Sequence, residues 1–295
     1  MQESILLFFQ NIANPVLDFF FELITMLGEK NILIAGIAWM FWNVDKKKGF
    51  ILSFTLLFSL FLNAVLKISI HNSRPFEVIP EILGKRVQTA TGYSFPSGHT
   101  QGATTFYLVL SLILKKRWIY ITAIAISLLV ALSRIYLGVH WPVDVIGGLV
   151  AGAVVAILMY KILSALYDKS VSRDLFIVIS SIAALLVMAL FLVINRFYFE
   201  SNLLVTDLMK TVGVFTGASV GFILEGKYVN FFTAGNIIKK VLRFVLGLAG
   251  ALLLLSGLKL LFPVVDAFHF LRYGLTGLWI TFLFPYIGKK ASLFI

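Results

Sequence analysis

From residue 30 onward this chain repeats one pattern, a long apolar run followed by a short polar or basic connector. Runs of about 18 residues or more are long enough to cross the hydrocarbon of a bilayer as helices. The pattern therefore restricts the chain to a polytopic, all-α bundle of membrane-spanning helices. Composition agrees: of 295 residues, 60% are hydrophobic and 13% charged, and the mean hydropathy is +0.96. A soluble domain carries far more charge.

The periodic runs predict nine spans, at 30–44, 49–71, 98–114, 118–138, 142–167, 174–195, 206–224, 237–262 and 267–288. The first is short. Residues 2–28 read differently, because Asn11, Asn14, Asp18 and Glu22 interrupt the apolar stretch and Pro15 breaks it. That stretch is expected to be an amphipathic helix lying in the membrane interface and bent at the proline; a full span is the alternative. No small-residue cleavage site follows it, so no removable signal peptide is expected. Three segments result: an interfacial helix over 1–29, a core over 30–170 and a helical extension over 171–295. Cysteine is absent, which excludes disulfides and thiolate chemistry.

A net charge of +11 raises the possibility of a nucleic-acid partner, but the distribution argues against one. Lys46–Lys48, Lys115–Arg117, Lys161, Lys169 and Arg173, then Lys227, Lys239, Lys240 and Arg243, then Lys289 and Lys290 all fall in alternate connectors. Basic residues concentrated in alternate connectors mark the cytoplasmic side. The N-terminus, the 72–97 loop and the 139–141 turn are then expected to face away from the cytoplasm, with the chain a multi-pass protein of the cell membrane and the bilayer its partner. Nothing in the sequence speaks to oligomeric state.

Three polar clusters fall on that outer side. KISIHNSRP supplies Lys67 and Arg74–Pro75. Seven helical residues make nearly two turns, so a continuous helix would put Lys67 and Arg74 on one face, with Pro75 marking its end. FPSGHT, residues 95–100, opens the third run. Ser97 suits an N-cap, Gly98 leaves backbone N–H groups exposed, and a helix start of this kind binds phosphate well, with His99 in reach. SRIYLGVHWPVD, residues 133–144, brings Arg134, His140 and Asp144 together between two apolar runs. Asp144 lies one helical turn after His140 and can accept from its ring, which sets the tautomer and leaves the other nitrogen free as a nucleophile. Charge in a span costs about 2.5–3.5 kcal/mol on insertion scales, so an incidental origin is disfavoured.

K-x6-RP at 67–75, PSGH at 96–99 and SR-x5-H-x3-D at 133–144, complete and in this order, resemble the three signature motifs of the type 2 phosphatidic acid phosphatase (PAP2) superfamily. The resemblance covers residues 30–167. It implies a membrane lipid phosphate phosphatase in which His140 attacks phosphorus, Asp144 orients it, and His99 protonates the leaving oxygen and later helps activate water. Lys67, Arg74, Ser97, Gly98 and Arg134 would hold the phosphate oxygens. The substrates it implies include undecaprenyl diphosphate, phosphatidylglycerophosphate, phosphatidic acid and sphingoid-base phosphates, and residues 90–101 are similar to the sphingosine-phosphate phosphatase branch. No metal or other cofactor is expected, because the 14 acidic residues are scattered and only Asp144 joins the constellation. The rival is a transporter or flippase that keeps the pocket for binding alone; it leaves His99, His140 and Asp144 without a purpose.

Two further groups read as ordinary helix ends. His71 lies beside the first motif, and Asp266, His269 and Arg272 recur every three residues at the start of the last run.

Overall fold

The computed structural model describes residues 1–199, 204–261 and 266–295, with the side chain of Asp266 outside the described set. Among the described residues all regular structure is helical. The order is α1 (Gln2–Asn11), α2 (Pro15–Met26), α3 (Lys30–Trp39), α4 (Lys46–Ile70), α5 (Pro75–Val78), α6 (Gly98–Leu114), α7 (Arg117–Tyr136) and α8 (Pro142–Leu166). Then follow α9 (Ser170–Tyr198), α10 (Thr206–Tyr228), α11 (Ile237–Leu261), α12 (Asp266–Leu278) and α13 (Phe284–Lys290). Short π-helical turns extend α3 through Met40–Val44 and join α12 to α13 through Trp279–Leu283.

Six helical stretches are long and apolar enough to cross a membrane, and α2 with α3, bent by 43°, make a seventh if taken as one span. Nine runs were expected. Those at 98–114 and 267–288 do form helices, but α6 has only 17 residues, about 25 Å of rise against a hydrocarbon layer of about 30 Å. The α12 run carries His269 and Arg272. Length and composition alone therefore do not assign these two as spans. At the N-terminus the break comes at Ile12–Asn14, ahead of Pro15. Asn14 accepts from Val16 N and Leu17 N, both at 3.1 Å, and caps α2, whose first position suits proline.

The chain forms two compact units, residues 1–34 with 58–161, and residues 35–57 with 162–295. In the first, α1 and α2 pack on α7, and α7 on α6. Phe21 stacks on Tyr136 at 4.2 Å within a small core that includes Leu137 and Val139. Close approach of α8 to α6 depends on Gly148 and Gly152: a Cβ on either would stand 2.8 Å from a backbone oxygen, that of Ser97 or Gln101. Small residues one turn apart are the usual device for bringing helix backbones together in membranes. In the second unit α10 and α12 do the same, with Gly217 set directly against the Gly274 carbonyl. There the buried Arg243 donates to Leu293 O at 2.7 Å and Ala234 O at 2.6 Å. Lys46 pairs with Glu225 at 2.6 Å.

Candidate active site

All eight candidate residues belong to the first unit. His140 sits in the turn between α7 and α8 and is 2% exposed. Its Nδ1 lies 3.3 Å from Asp144 Oδ2, and its Nε2 lies 3.2 Å from Arg74 Nη1. A guanidinium can only donate. Nε2 is therefore the acceptor, and the ring proton is on Nδ1, facing the carboxylate. Burial, and after it the cations Arg74, Arg134 and Lys67, hold the imidazole well below its ordinary value of 6.5. The ring is neutral at physiological pH, with a lone pair on Nε2.

Asp144 Oδ2 also accepts from Trp141 N at 2.8 Å and from Ser94 Oγ, which itself lies 3.4 Å from His140 Nδ1. Oδ1 is buried without a hydrogen-bond partner. The Asp144 carbonyl receives Ser97 N at 2.9 Å, which ties the start of α6 to the start of α8.

Lys67 and Arg74 come together by a route different from the one the helical spacing suggested. The α4 helix ends at Ile70, His71 adopts a left-handed φ of 35°, and Arg74 is an extended residue ahead of α5 with Pro75 at its first position. The two cations meet because both donate to the Tyr93 carbonyl, Arg74 through Nη2 at 3.2 Å. Arg74 donates further to Gly92 O (3.0 Å), Thr91 O (2.8 Å) and Val139 O (2.9 Å), so one buried guanidinium organises the 91–93 loop against the 139–140 turn. His71 is a helix-end residue, as read from sequence. His269 Nδ1 lies 2.8 Å from Arg272 Nη2, in the second unit; the third member of that group, the side chain of Asp266, lies outside the described residues.

Ser97 is the residue before α6, yet its hydroxyl makes no cap; it accepts from Thr100 Oγ1 at 3.0 Å. Gly98 lies beside Asn63, to whose Oδ1 an added Cβ would come within 3.3 Å. His99 Nε2 is buried with no partner, as are Nε and Nη2 of Arg134. Arg134 Nη1 donates to Thr25 Oγ1 at 2.8 Å. Among the described residues no group of three or more His, Asp or Glu side chains could hold a metal ion.

Beneath this layer runs a buried polar chain that the sequence reading overlooked. Asn63 donates to Pro96 O at 3.2 Å and to Gln101 Oε1 at 2.8 Å. Gln101 donates to Ser59 O at 2.8 Å, and Ser59 Oγ lies 2.7 Å from Thr105 Oγ1. Ser94 and Thr25 were also missed. Asn63 and Gln101 did carry a signal, since uncharged polar residues inside apolar runs belong in a helix–helix interior with partners.

The constellation resembles that of a phosphoryl-transfer site, and comparison with known proteins bears on which kind. Residues 48–168 match the family model described as the PAP2 superfamily, and residues 209–294 match that described as the PAP2 superfamily phosphatase, transmembrane extension. An undecaprenyl-diphosphatase from Sulfolobus acidocaldarius is 35% identical over 44% of this chain and 62% of its own length. Phosphatidylglycerophosphatase B from Bacillus subtilis is 32% identical over 55% of this chain and 80% of its own length. Sphingosine-1-phosphate phosphatase 1 from Mus musculus is 25% identical over 94% of this chain and 73% of its own length. These relatives are named phosphatases, hydrolases of phosphate esters or anhydrides, and by these matches the chain belongs to the PAP2 superfamily.

Proposed function

We propose that this protein is a metal-independent phosphatase of lipid phosphates or lipid diphosphates that works through a phosphohistidine on His140. The observation that carries the reading is the Arg74–His140–Asp144 relay. It leaves the Nε2 lone pair of a buried, neutral imidazole 3.2 Å from a cation suited to a phosphate oxygen. Arg74 Nη1 turns from Nε2 to an incoming phosphate oxygen, the freed Nε2 attacks phosphorus in line, the bond to the lipid oxygen breaks, and His99 gives that oxygen a proton. Water, deprotonated by His99, then cleaves the N–P bond and releases inorganic phosphate. Lys67, Arg74, Arg134 and the 97–98 backbone take the charge that spreads over the phosphoryl oxygens, the role a metal fills in two-metal hydrolases. A binding protein needs the cations but gains nothing from an oriented imidazole, which sets the transport reading aside.

The substrate is an amphiphile whose phosphate reaches the interface while its tail stays in the bilayer. Polyprenyl diphosphates, phosphatidylglycerophosphate, phosphatidic acid and sphingoid-base phosphates share that form, and the relatives' names point to three of these classes. The active site faces away from the cytoplasm, on the side opposite the basic connectors. Residues 30–170 form the catalytic core, and 171–295 extend it.

Purified protein in detergent with EDTA should release phosphate from at least one member of such a panel, and orthovanadate should inhibit by adopting the five-coordinate geometry of the transition state. Activity lost in chelator and restored by magnesium or zinc would refute the metal-independent mechanism.

A further inference from the structure

The α2 helix lies outside all three motifs, yet three features tie it to the site. First, Thr25, fully buried on α2, accepts the hydrogen bond of Arg134 Nη1 at 2.8 Å. Second, the chain bends just after α2, and Gly28 lies against the start of α6. A Cβ there would stand 2.8 Å from His99 O and 2.9 Å from Val130 Cγ1, while Tyr107 Oη donates to the neighbouring Leu27 O at 3.1 Å. Third, acidic residues on α2 and just after it are engaged. Asp18 pairs with Lys85, Glu29 pairs with Arg86, and Tyr136 Oη donates to Asp18 at 2.6 Å. Lys85 and Arg86 belong to the loop that leads into Tyr93 and Ser94.

The Thr25–Arg134 contact has a particular chemistry. Among the described residues no carboxylate bonds to Arg134, and its Nε and Nη2 have no partner. A carboxylate would orient the guanidinium and also cancel its charge. A hydroxyl orients it and leaves the charge available to an anion. Some buried hydroxyls in these helices, Thr104 and Ser127 among them, turn back to the carbonyl four residues earlier, whereas the Thr25 oxygen is bonded to the arginine.

We infer that α2 is a wall of the phosphate site and that Thr25 is a positioning residue, holding the Arg134 guanidinium so that Nε and Nη2 serve the phosphate oxygens. This rests on the phosphatase reading for its substrate, but its test does not require turnover. The experiment compares wild type, Thr25→Val and Thr25→Ser in two assays: thermal protection by orthovanadate and by inorganic phosphate, and steady-state kinetics on a lipid phosphate. A hydrogen bond to a charged group is worth enough that Thr25→Val should weaken anion protection and raise KM by about tenfold. The melting temperature without anion should also fall, because Arg134 Nη1 is left buried without its partner. Protection is therefore read as the shift each anion adds to a variant's own baseline, and Thr25→Ser should restore most of both losses. Should Thr25→Val fail to fold, Thr25→Ala serves in its place.

Wild-type anion affinity in the apolar variant, or a serine variant as weak as the valine one, would overturn the role of Thr25. Wild-type protein protected by neither anion would overturn it too. Anion protection without hydrolysis of any lipid phosphate would sink the phosphatase reading alone, and the comparison at Thr25 would still stand on the protection assay.

Discussion

Arg74 and His140 share one contact, Nη1 to Nε2 at 3.2 Å, and it sets the chemistry of the imidazole. Because the guanidinium only donates, the proton is on the opposite nitrogen, toward Asp144. His140→Ala should therefore abolish both turnover and covalent incorporation of labelled phosphate. Asp144→Asn should lower kcat by about three to four orders of magnitude, as expected when the orienting carboxylate is replaced and the wrong tautomer is favoured. Near-normal hydrolysis by His140→Ala would mean that the nucleophile has been misassigned.

The depressed basicity of His140 has a definite sign in its pH dependence. The unfolded imidazole takes up a proton as pH falls through 6.5, whereas the folded one refuses it until well below that value. Stability contributed above pH 6.5 is thus lost as pH drops through the window between the two. Measured side by side, wild-type protein should lose melting temperature over that window faster than His140→Gln. The acid limb of kcat/KM should likewise lie below the ordinary histidine value. Parallel melting curves for the two proteins would contradict the assigned environment.

Ser94 donates to Asp144 and stands 3.4 Å from His140 Nδ1, so it holds the carboxylate in the orientation the imidazole needs. Ser94→Ala should reduce kcat by about ten- to a hundredfold, in line with the loss of one hydrogen bond to a charged group, and leave KM nearly unchanged. A change confined to KM would assign Ser94 to substrate binding instead.

Much of the candidate site is legible in the sequence, for a physical reason. Charges such as Arg134 and Asp144 are costly inside apolar runs, so their presence and spacing advertise chemistry. What was not legible depended on contacts without local periodicity. Lys67 and Arg74 were expected to meet along one helix face, but the helix stops at Ile70 and the pair is joined through the Tyr93 carbonyl, 26 residues from Lys67. Thr25 and Ser94 are small hydroxyl residues with many ordinary uses, and only the fold sets them beside Arg134 and Asp144. Asp18 and Glu22 read as polar breaks in an interfacial helix. Their counterions, Lys85 and Arg86, come from a loop more than 60 residues away, and no pattern within α2 announces them.

Gln101 is the hub of the buried chain below the motif that opens α6, bonded to both Asn63 and Ser59. Gln101→Leu would leave the Ser59 carbonyl and an Asn63 N–H short of partners, at a cost of about 1–3 kcal/mol for each group left unsatisfied. The expected result is a clearly lower melting temperature in detergent, with anion protection weakened because Gly98 rests on Asn63. An unchanged melting temperature would show that the network is dispensable to the fold.

Sidedness can be tested at two exposed residues at opposite ends of α6 and its approach loop. Gln88 lies in the short helical turn Val87–Thr89, within the loop that brings Ser94 and Ser97 to the site. Lys116 lies in the basic connector between α6 and α7. The 17 residues of α6 separate the two ends by about 25 Å. If the basic connectors are cytoplasmic, Gln88 is outside and the substrate phosphate comes from the outer leaflet. The chain has no native cysteine, so Gln88→Cys and Lys116→Cys each report a single position. Gln88 is preferable to its neighbour Thr89, whose hydroxyl is tied to Arg86 O at 3.0 Å. In right-side-out vesicles an impermeant thiol reagent should label the residue-88 site and spare the residue-116 site until the membrane is permeabilised. Labelling in the reverse order would invert the topology and assign the lipid substrate to the cytoplasmic leaflet.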